Sequence, residues 1–387
     1  MTKNSPKPTI KICHLADLHL GFRRYHKLTK LGVNLREYDV SLAFRESIDK
    51  LININPDIVL IAGDLFHTVR PSNAVITFCF KQLKRLVLNS KAEIVLLSGN
   101  HESPKRTDSG SILSLFKEID RVFVADQNIE RFSLANNQVE VVCLPHNFLS
   151  SKNDIIPEVS SKHNYNILML HAQVDSDLRT DFGGVSLDLK KYNPERWDYI
   201  ALGHVHKHQV LSYNCAYSGS IEHTSNNIWA DASSKGFVEL SLPENILNFI
   251  KLKSPRAIID LGNIEVYLME PDDVMALISE RLNTVVGGIE GKIIKLDVSN
   301  INRATLQNLD YKQIRLWKSN ALHFQLDFRV QNETELSPSL NKPERLSLKE
   351  DLKVFVNETI GKTDDSDLYN QKLEHYLNLV DKEYEAS

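Results

Sequence analysis

Five short segments, far apart in the chain, each place metal-type side chains where an apolar run stops, and this pattern restricts the fold more than any other feature. The runs are residues 10–15, 57–62, 93–97, 167–170 and 199–202. They lead into Asp17-Leu18-His19, Gly63-Asp64, Gly99-Asn100-His101-Glu102, His171 and Gly203-His204-Val205-His206. Aliphatic runs that end in polar ligands are how parallel α/β sheets build sites, at the carboxyl edge of the strands. The set offers the imidazoles of His19, His171, His204 and His206, the carboxylates of Asp17 and Asp64, and the Asn100 amide, with no thiolate. Such a mixture suits two hard or borderline divalent ions (Mn²⁺, Fe²⁺ or Zn²⁺) rather than a structural thiolate zinc site.

The combination reads as a two-metal phosphoesterase. Side chains two apart on a strand point the same way, so Asp17 and His19 are expected to grip one ion together, and so are His204 and His206. A carboxylate at a strand end, Asp64, is placed to bridge two ions, which in such centres sit about 3.5–4 Å apart and clamp the attacking and leaving oxygens of a phosphodiester. One ion is assigned Asp17, His19, Asp64 and His206; the other is assigned Asp64, Asn100, His171 and His204. His101 follows a ligand yet points elsewhere, which suits protonation of a leaving group or a grip on the phosphate. The plainer role for it is to hold a ligand in place. His67, three residues past Asp64, is expected to contact substrate phosphate; an ordinary loop histidine is the alternative. His208 lies beyond the pocket, and His14 faces away from Asp17. Arg23, Arg24 and Lys27, with His26 and Lys30, form a basic loop beside the metals that is placed to follow a nucleic-acid backbone through phosphate contacts. The alternative is a solvated charged loop.

A chain of 387 residues has room for two or three compact domains, and 42% hydrophobic with 25% charged residues is the balance of a soluble globular protein. No stretch approaches the roughly 18 apolar residues of a membrane span. The opening residues lead directly into a strand with no apolar signal-like segment, and the four cysteines are scattered. Free buried thiols in a reducing, cytoplasmic compartment are therefore expected. The net charge of −4 does not advertise nucleic-acid binding. It does not exclude it either, because local potential at the site is what counts.

Helical patterns over 41–52, 73–88 and 111–119 alternate with apolar runs, so the first half is βαβ architecture with a parallel sheet. Strands dominate from residue 123, at 140–144, 166–173, 198–205, 216–221 and 237–242. The expected core is a strand sandwich flanked by helices, covering residues 1–255. A small separate α+β unit is expected over 256–335, with strands at 264–268, 292–298 and 321–330 and helices at 271–282 and 303–309. Beyond a proline-containing linker, residues 345–387 carry two amphipathic patterns, Leu348, Leu352, Phe355 and Val356, then Leu373, Tyr376, Leu377 and Val380. Two short helices are marginal alone in water, so a helical partner is expected to bury both stripes. The 73–88 helix is apolar around too much of its circumference for one contact with a sheet. Its surplus, with Ile112, Leu115 and Phe116, implies a homodimer contact, against the alternative of a deeply buried core helix.

Asp17-Leu18-His19-Leu20-Gly21, Gly63-Asp64-Leu65-Phe66-His67, Ser98-Gly99-Asn100-His101-Glu102, His171 and Gly203-His204-Val205-His206 resemble the metallophosphoesterase motifs of the SbcD-type nucleases, the nuclease subunits of double-strand-break repair complexes. Arg36-Glu37-Tyr38-Asp39, Tyr217-Ser218-Gly219-Ser220-Ile221-Glu222 and Lys235-Gly236-Phe237-Val238 extend the resemblance across residues 10–255. It implies a calcineurin-like metallophosphoesterase β-sandwich, a DNA-capping α+β domain after it, and a helical tail. It further implies a manganese-dependent nuclease, a 3′–5′ exonuclease on duplex ends and an endonuclease on single strands, working in repair, recombination and replication. Its partners would be DNA, a second copy of the chain, and a coiled-coil SMC-like ATPase bound by the tail, in a nucleoid-associated complex with no membrane. Many members have Asp where this chain has Glu102. The rival readings are a phosphoprotein phosphatase or cyclic-nucleotide phosphodiesterase of the same superfamily, and a silent scaffold that tethers a partner to DNA. Such phosphatases carry an Arg before Gly-Asn-His-Glu where this chain has Ser98, and a silent scaffold would be expected to have lost a ligand.

Overall fold

The computed structural model describes residues 7–103, 110–151, 155–174, 184–225, 227–231 and 233–331. The chain begins in one sheet with β1 (Ile10–Leu15), β2 (Ile58–Ala62), β3 (Glu93–Leu97) and β4 (Val122–Ala125), then starts a second with β5 (Glu130–Leu134), β6 (Val139–Leu144) and β7 (Tyr165–His171). A two-stranded ribbon, β8 (Gln173–Val174) and β9 (Ser186–Leu187), interrupts it before β10 (Tyr199–Gly203), β11 (Gln209–Ser212) and β12 (Cys215–Tyr217) complete the second sheet. The chain then returns to the first sheet as β13 (Gly236–Leu242) and β14 (Ile246–Lys251). The sheets run β14-β13-β1-β2-β3-β4 and β11-β12-β10-β7-β6-β5.

Neighbours β1 to β4 are parallel, as are β6, β7, β10 and β12, so each sheet presents one carboxyl edge. The central strands β2 and β10 are buried along their whole length and carry no charged side chain, because both of their faces are covered. Ile12, Leu60 and Val95 of the first sheet meet Val141, Ile167 and Ala201 of the second in the layer between them. On the outer face of the first sheet lie α1 (Leu35–Ile54), α2 (Asn73–Asn89) and a 3₁₀ helix over Ile112–Glu118. The four cysteines are buried and form no disulfide.

Several elements differ from expectation for identifiable reasons. Helix α1 starts six residues earlier than its apolar periodicity, because the Asn34 side chain accepts the Arg36 and Glu37 N–H groups and opens the helix there. The 111–119 pattern forms 3₁₀ rather than α-helix. The last strand of the second sheet stops at Tyr217 instead of continuing to 221. Helix α2 buries one stripe, Val75, Cys79, Leu83, Leu86 and Val87, leaving Ile76, Phe78 and Phe80 half-buried beside half-buried Ile112 and exposed Leu115, whereas Phe116, expected at the same contact, is fully buried in the core.

A short helix α3 (His146–Ser150) follows β6. After the sandwich, a third sheet is built from β15 (Ile258–Glu265), β16 (Ile293–Ile301) and β17 (His323–Val330), with α4 (Pro271–Asn283), α5 (Arg303–Gln307) and α6 (Tyr311–Asn320). Its first strand begins before the expected 264–268, and α6 has no apolar stripe to mark it in the sequence because it buries only Ile314. The sheet has its own core around Val274, Ile278, Leu296 and Phe324. It docks through Ile293, Leu322 and Ile258 on Ile228, Trp229 and Tyr25, and residues up to Arg329 form one compact unit. The two helical patterns of 345–387 lie outside the described residues. No described helix is long and apolar enough to cross a membrane.

A buried polar lattice joins these parts. Arg36, fully buried, donates to Asp39 Oδ2 at 2.9 Å, Glu222 Oε1 at 3.0 Å and the His223 carbonyl at 2.8 Å. Arg256, just before β15, donates to Asp39 Oδ2 at 2.8 Å. Removing one member of a buried pair leaves a bare charge, so Arg36→Ala is expected to lower stability by about 3–5 kcal/mol in denaturant unfolding. A loss below 1 kcal/mol would mean that water or relaxation satisfies Glu222.

Candidate metal centre

The two carboxyl edges meet, and within the first of them the loops that leave β1 and β2 are zipped together by their own backbones. Asp17 N–H donates to Gly63 O at 3.1 Å, His19 N–H to Asp64 O at 2.9 Å and Leu20 N–H to Leu65 O at 2.9 Å. To leave the strands this sharply, Asp17, His19, Asp64 and His204 all take positive φ (53°, 49°, 51° and 96°). Non-glycine residues held there cost on the order of 1–3 kcal/mol each and cluster at functional sites. Gly63, at φ 90°, packs so closely on His171 that a Cβ would lie 2.1 Å from its Nδ1. The same-side rule for alternate residues therefore fails where it was applied to His204 and His206. The strand ends at Gly203, and the two histidines diverge. The His204 ring packs edge-on to His171, whereas His206 packs on His19.

The side chains named from the sequence fall into adjoining groups. Ligand atoms of Asp17, His19 and His206 lie within 4.8 Å of one another, as do those of Asp17, Asp64 and His171, and those of His19, His67 and His101. His19 Nε2 and His206 Nε2 face each other at 3.0 Å. Asp64 Oδ2 is 3.7 Å from His19 Nε2 and 3.4 Å from His171 Nε2, and Asn100 Oδ1 is 3.0 Å from that same nitrogen. The Ala62 carbonyl accepts from His171 Nδ1 at 2.8 Å, which fixes Nε2 as the atom turned to Asp64 and Asn100. His101 is ordered in the same way: its Nδ1–H donates to the His67 carbonyl at 2.6 Å, and its Nε2 lies 4.0 Å from Asp64 Oδ2. The His67 ring stacks on His101 at 5.1 Å. His14 bonds Tyr199 and His208 bonds the Tyr217 carbonyl, both away from this cluster.

Burial sets the charge state. It holds His19 well below the ordinary imidazole value, His206 at about 3 with help from Lys235, and His204 at about 4 with help from His171. Burial and His101 hold His67 at about 4. These rings are neutral at pH 7, with lone pairs to offer. Burial pushes Asp64 up, but His171, His19 and His101 outweigh it and keep the carboxyl well below the usual range. Burial pulls His171 down, and Asp64 and Asp17 lift it to about 9. Burial raises Asp17 to about 7, with His171 opposing and Asp64 adding. Opposed imidazole nitrogens, two carboxylates, and a buried His204 Nε2 with no hydrogen-bond partner among the described residues form a donor set that fits divalent cations.

The supporting residues were less legible. Glu102, fully buried, accepts the Phe66 N–H at 2.5 Å and the Gly99 N–H at 3.0 Å, tying the Asp64 loop to the Asn100 loop. Its signal was a carboxylate three residues after a strand-end glycine. Lys235, also buried, donates to the His206 carbonyl at 3.0 Å and to Asp231. The basic loop is largely engaged within the protein. Arg23 pairs with Glu37 while its side chain stays 63% exposed. Arg24 donates to the Ser225 carbonyl at 3.0 Å and lies over the Tyr25 ring, which stacks on His323 at 4.1 Å. Lys27 donates to the carbonyls of Ser319 and Ala321, at the end of α6. The loop folds against the third sheet, which the sequence did not reveal.

A family model described as calcineurin-like phosphoesterase matches residues 10–208, half of the chain. Three proteins named DNA double-strand break repair protein Mre11 are similar to it. The one from Methanocaldococcus jannaschii is 29% identical over 289 residues, 72% of each chain. That from Saccharolobus solfataricus is 25% identical over 354 residues, 87% of each chain. That from Archaeoglobus fulgidus is 24% identical over 400 residues, 95% of this chain and 85% of the relative.

Proposed function

The chain belongs to the calcineurin-like phosphoesterases, and from that premise we propose that it is a metal-dependent DNA nuclease of double-strand-break repair, hydrolysing phosphodiester bonds. The observation that carries this reading is the meeting of Asp17, His19, Asp64, Asn100, His171 and His206 at the joined carboxyl edges, in a chain whose relatives bear the repair protein's name. Asp17, His19, Asp64 and His206 would hold one cation, and Asp64, Asn100, His171 and His204 a second, Mn²⁺ being the ion we favour. Bound there, the ions would neutralise charge on the phosphate and acidify an attacking water. The chain's own residues do the rest. Asp64 ties the two ligand groups together. His101, with its Nδ1–H committed to the His67 carbonyl, has Nε2 left to serve the phosphate or the leaving oxygen. Glu102 and Lys235 hold the loops that carry Asp64, Asn100 and His206.

A phosphatase reading is disfavoured by Ser98, which is buried and bonded to backbone where those enzymes place an Arg. A silent scaffold is disfavoured because every ligand type is present. Incubation with Mn²⁺ and, separately, linear duplex DNA, single-stranded circular DNA, a phosphomonoester and a cyclic nucleotide tests the proposal. Cleavage of the two DNAs is expected, with 3′–5′ degradation of the duplex. Turnover of the monoester alone would overturn it.

The same reading makes residues 256–335 a DNA-capping domain. It makes the half-buried Ile76, Phe80 and Ile112 with exposed Leu115 part of a homodimer contact, and residues 345–387 the tether to an SMC-like ATPase at the nucleoid. Deleting 345–387 should then leave manganese-dependent cutting of single-stranded DNA intact and abolish co-purification with the ATPase. Full retention of that partner would place the tether elsewhere. Nearer the centre, a Cβ at Gly184 would lie 2.4 Å from His204 Nε2. Gly184→Val is expected to displace that ring and weaken Mn²⁺ binding by about 10–100-fold, as losses around metal ligands do. Unaltered calorimetric titration would show that the segment gives way instead.

A further inference from the structure

We propose that the loop between β1 and α1 carries an apolar wedge, led by Leu31, that opens the end of a DNA duplex beside the metal centre. The inference rests on the centre acting on DNA. The loop leaves from the centre itself: His19 and Leu20 are tied to Asp64 and Leu65, and the Phe22 N–H donates to the His19 carbonyl at 3.0 Å. It then doubles back as a tight hairpin. The Thr29 N–H donates to the Val33 carbonyl at 2.8 Å and the Gly32 N–H to the Thr29 carbonyl at 3.0 Å, with Gly32 making the turn at φ 79°. Below the turn, Leu28 is bridged to Asn34, whose amide donates to the Tyr25 carbonyl at 2.8 Å. The root is held from the other side by Lys27 on the end of α6 and by Tyr25 stacked on His323. The tip is thus fixed before any partner arrives, and its insertion costs little conformational freedom.

Leu31 is 92% exposed and Leu28 60%, with Val33 exposed beside them. Apolar side chains held out together on one rigid hairpin mark a surface that a partner covers. The charge around them says which partner. Residues 18–36 carry no carboxylate, and Arg23, His26 and Lys30 are exposed among the apolar positions. Helix α6, which receives Lys27, exposes Lys312, Arg315 and Lys318 at a spacing of three and contains no acidic residue. Cations flanking a leucine tip match a polyanion with an apolar interior, phosphates outside and stacked bases within. Asp17, His19, Asp64, His171 and His204 are buried where the carboxyl edges meet, so a strand has to part from its complement before its backbone can enter among them. A leucine at the last base step achieves this, because apolar wedges unstack bases and a terminal pair is stacked on one side only.

The test reads strand opening without relying on cleavage. Full-length wild type, Leu31→Ser and Leu31→Met, which keeps an apolar tip, are mixed with a blunt duplex that carries 2-aminopurine in its last pair. Ca²⁺ replaces Mn²⁺ so that the DNA stays whole, and anisotropy reports binding. Wild type and Leu31→Met are expected to raise the fluorescence as the base unstacks, and Leu31→Ser to leave it at the level of free DNA. With Mn²⁺, degradation of the blunt duplex should fall about tenfold in Leu31→Ser, the scale of one lost stacking contact, and recover on a duplex whose end is already unpaired. Absence of binding by wild type, fluorescence that wild type leaves unchanged, or an equal rise with Leu31→Ser would overturn the proposal. So would an effect of Leu31→Ser on sedimentation alone, which would make the tip a contact between protein chains. If wild type opens the duplex but cuts no DNA, the proposed nuclease function fails and the wedge stands. Leu31 is almost wholly exposed and gives up little packing, so Leu31→Ser is expected to fold as wild type does, with thermal unfolding as the check.

Discussion

Asp64→Ala is expected to abolish cleavage of every phosphodiester, with activity down by about 10³-fold or more and calorimetric Mn²⁺ uptake lost. The carboxylate is 2% exposed, and its Oδ2 lies 3.4 Å from His171 Nε2 and 3.7 Å from His19 Nε2, so both ligand groups meet at one side chain. Its Oδ1 accepts the His101 N–H at 3.0 Å, which anchors the Asn100 loop as well. Metal-borne stabilisation of a phosphoryl transition state is worth several kcal/mol, and about 1.4 kcal/mol is tenfold in rate. Asp64→Asn keeps the shape and the hydrogen-bond acceptor but not the charge, and should fail nearly as completely. An alanine variant that still bound two Mn²⁺ with wild-type affinity would remove Asp64 from the bridging position.

His101→Ala should behave differently, losing about 10²–10⁴-fold in turnover, the usual contribution of a general acid or base, while keeping its metal. The reason is in the backbone. The contact from residue 101 to Asp64 is made by its main-chain N–H, which survives substitution, whereas the side chain reaches Asp64 only at 4.0 Å. Metal content and cleavage measured on the same preparation separate the two effects. Wild-type turnover would take His101 out of the chemistry, and loss of metal would make it a ligand-holding residue.

Residues can be read as site candidates from sequence where local chemistry and local geometry agree. An apolar run broken by Asp17 and His19, or by Gly63 and Asp64, marks a covered parallel strand reaching its carboxyl edge, since polar ligands are not placed within such a strand. The neighbourhood of the run predicts that much without any knowledge of what lies opposite. It does not predict backbone conformation past the edge. Asp17, His19, Asp64 and His204 all turn into the left-handed region, so the period of two that holds inside a strand stops applying one residue beyond it. That is why His204 and His206 part company. Helix α1 starts six residues before its apolar period because its start depends on one side chain, Asn34, accepting two N–H groups.

Long-range partners were out of reach for a different reason. Arg24 and Lys27 look like a free basic loop until Ser225, Ser319 and Ala321 turn their carbonyls toward them across some 200 to 300 residues of chain. Arg36 gives no sign in sequence that Glu222 and Arg256 complete its charge balance. Glu102 and Lys235 lie in motifs that the sequence singles out, yet only the fold shows that both are buried and bonded to the loops around the ligands. The sequence by itself determined the ligand types, the strand ends that carry them and the α/β sandwich class, because each follows from residue chemistry and a repeat of a few positions. Only the tertiary structure decided which ligands share a side, which charges are already paired and where the third sheet rests, because those depend on distances between segments that the chain brings together only by folding.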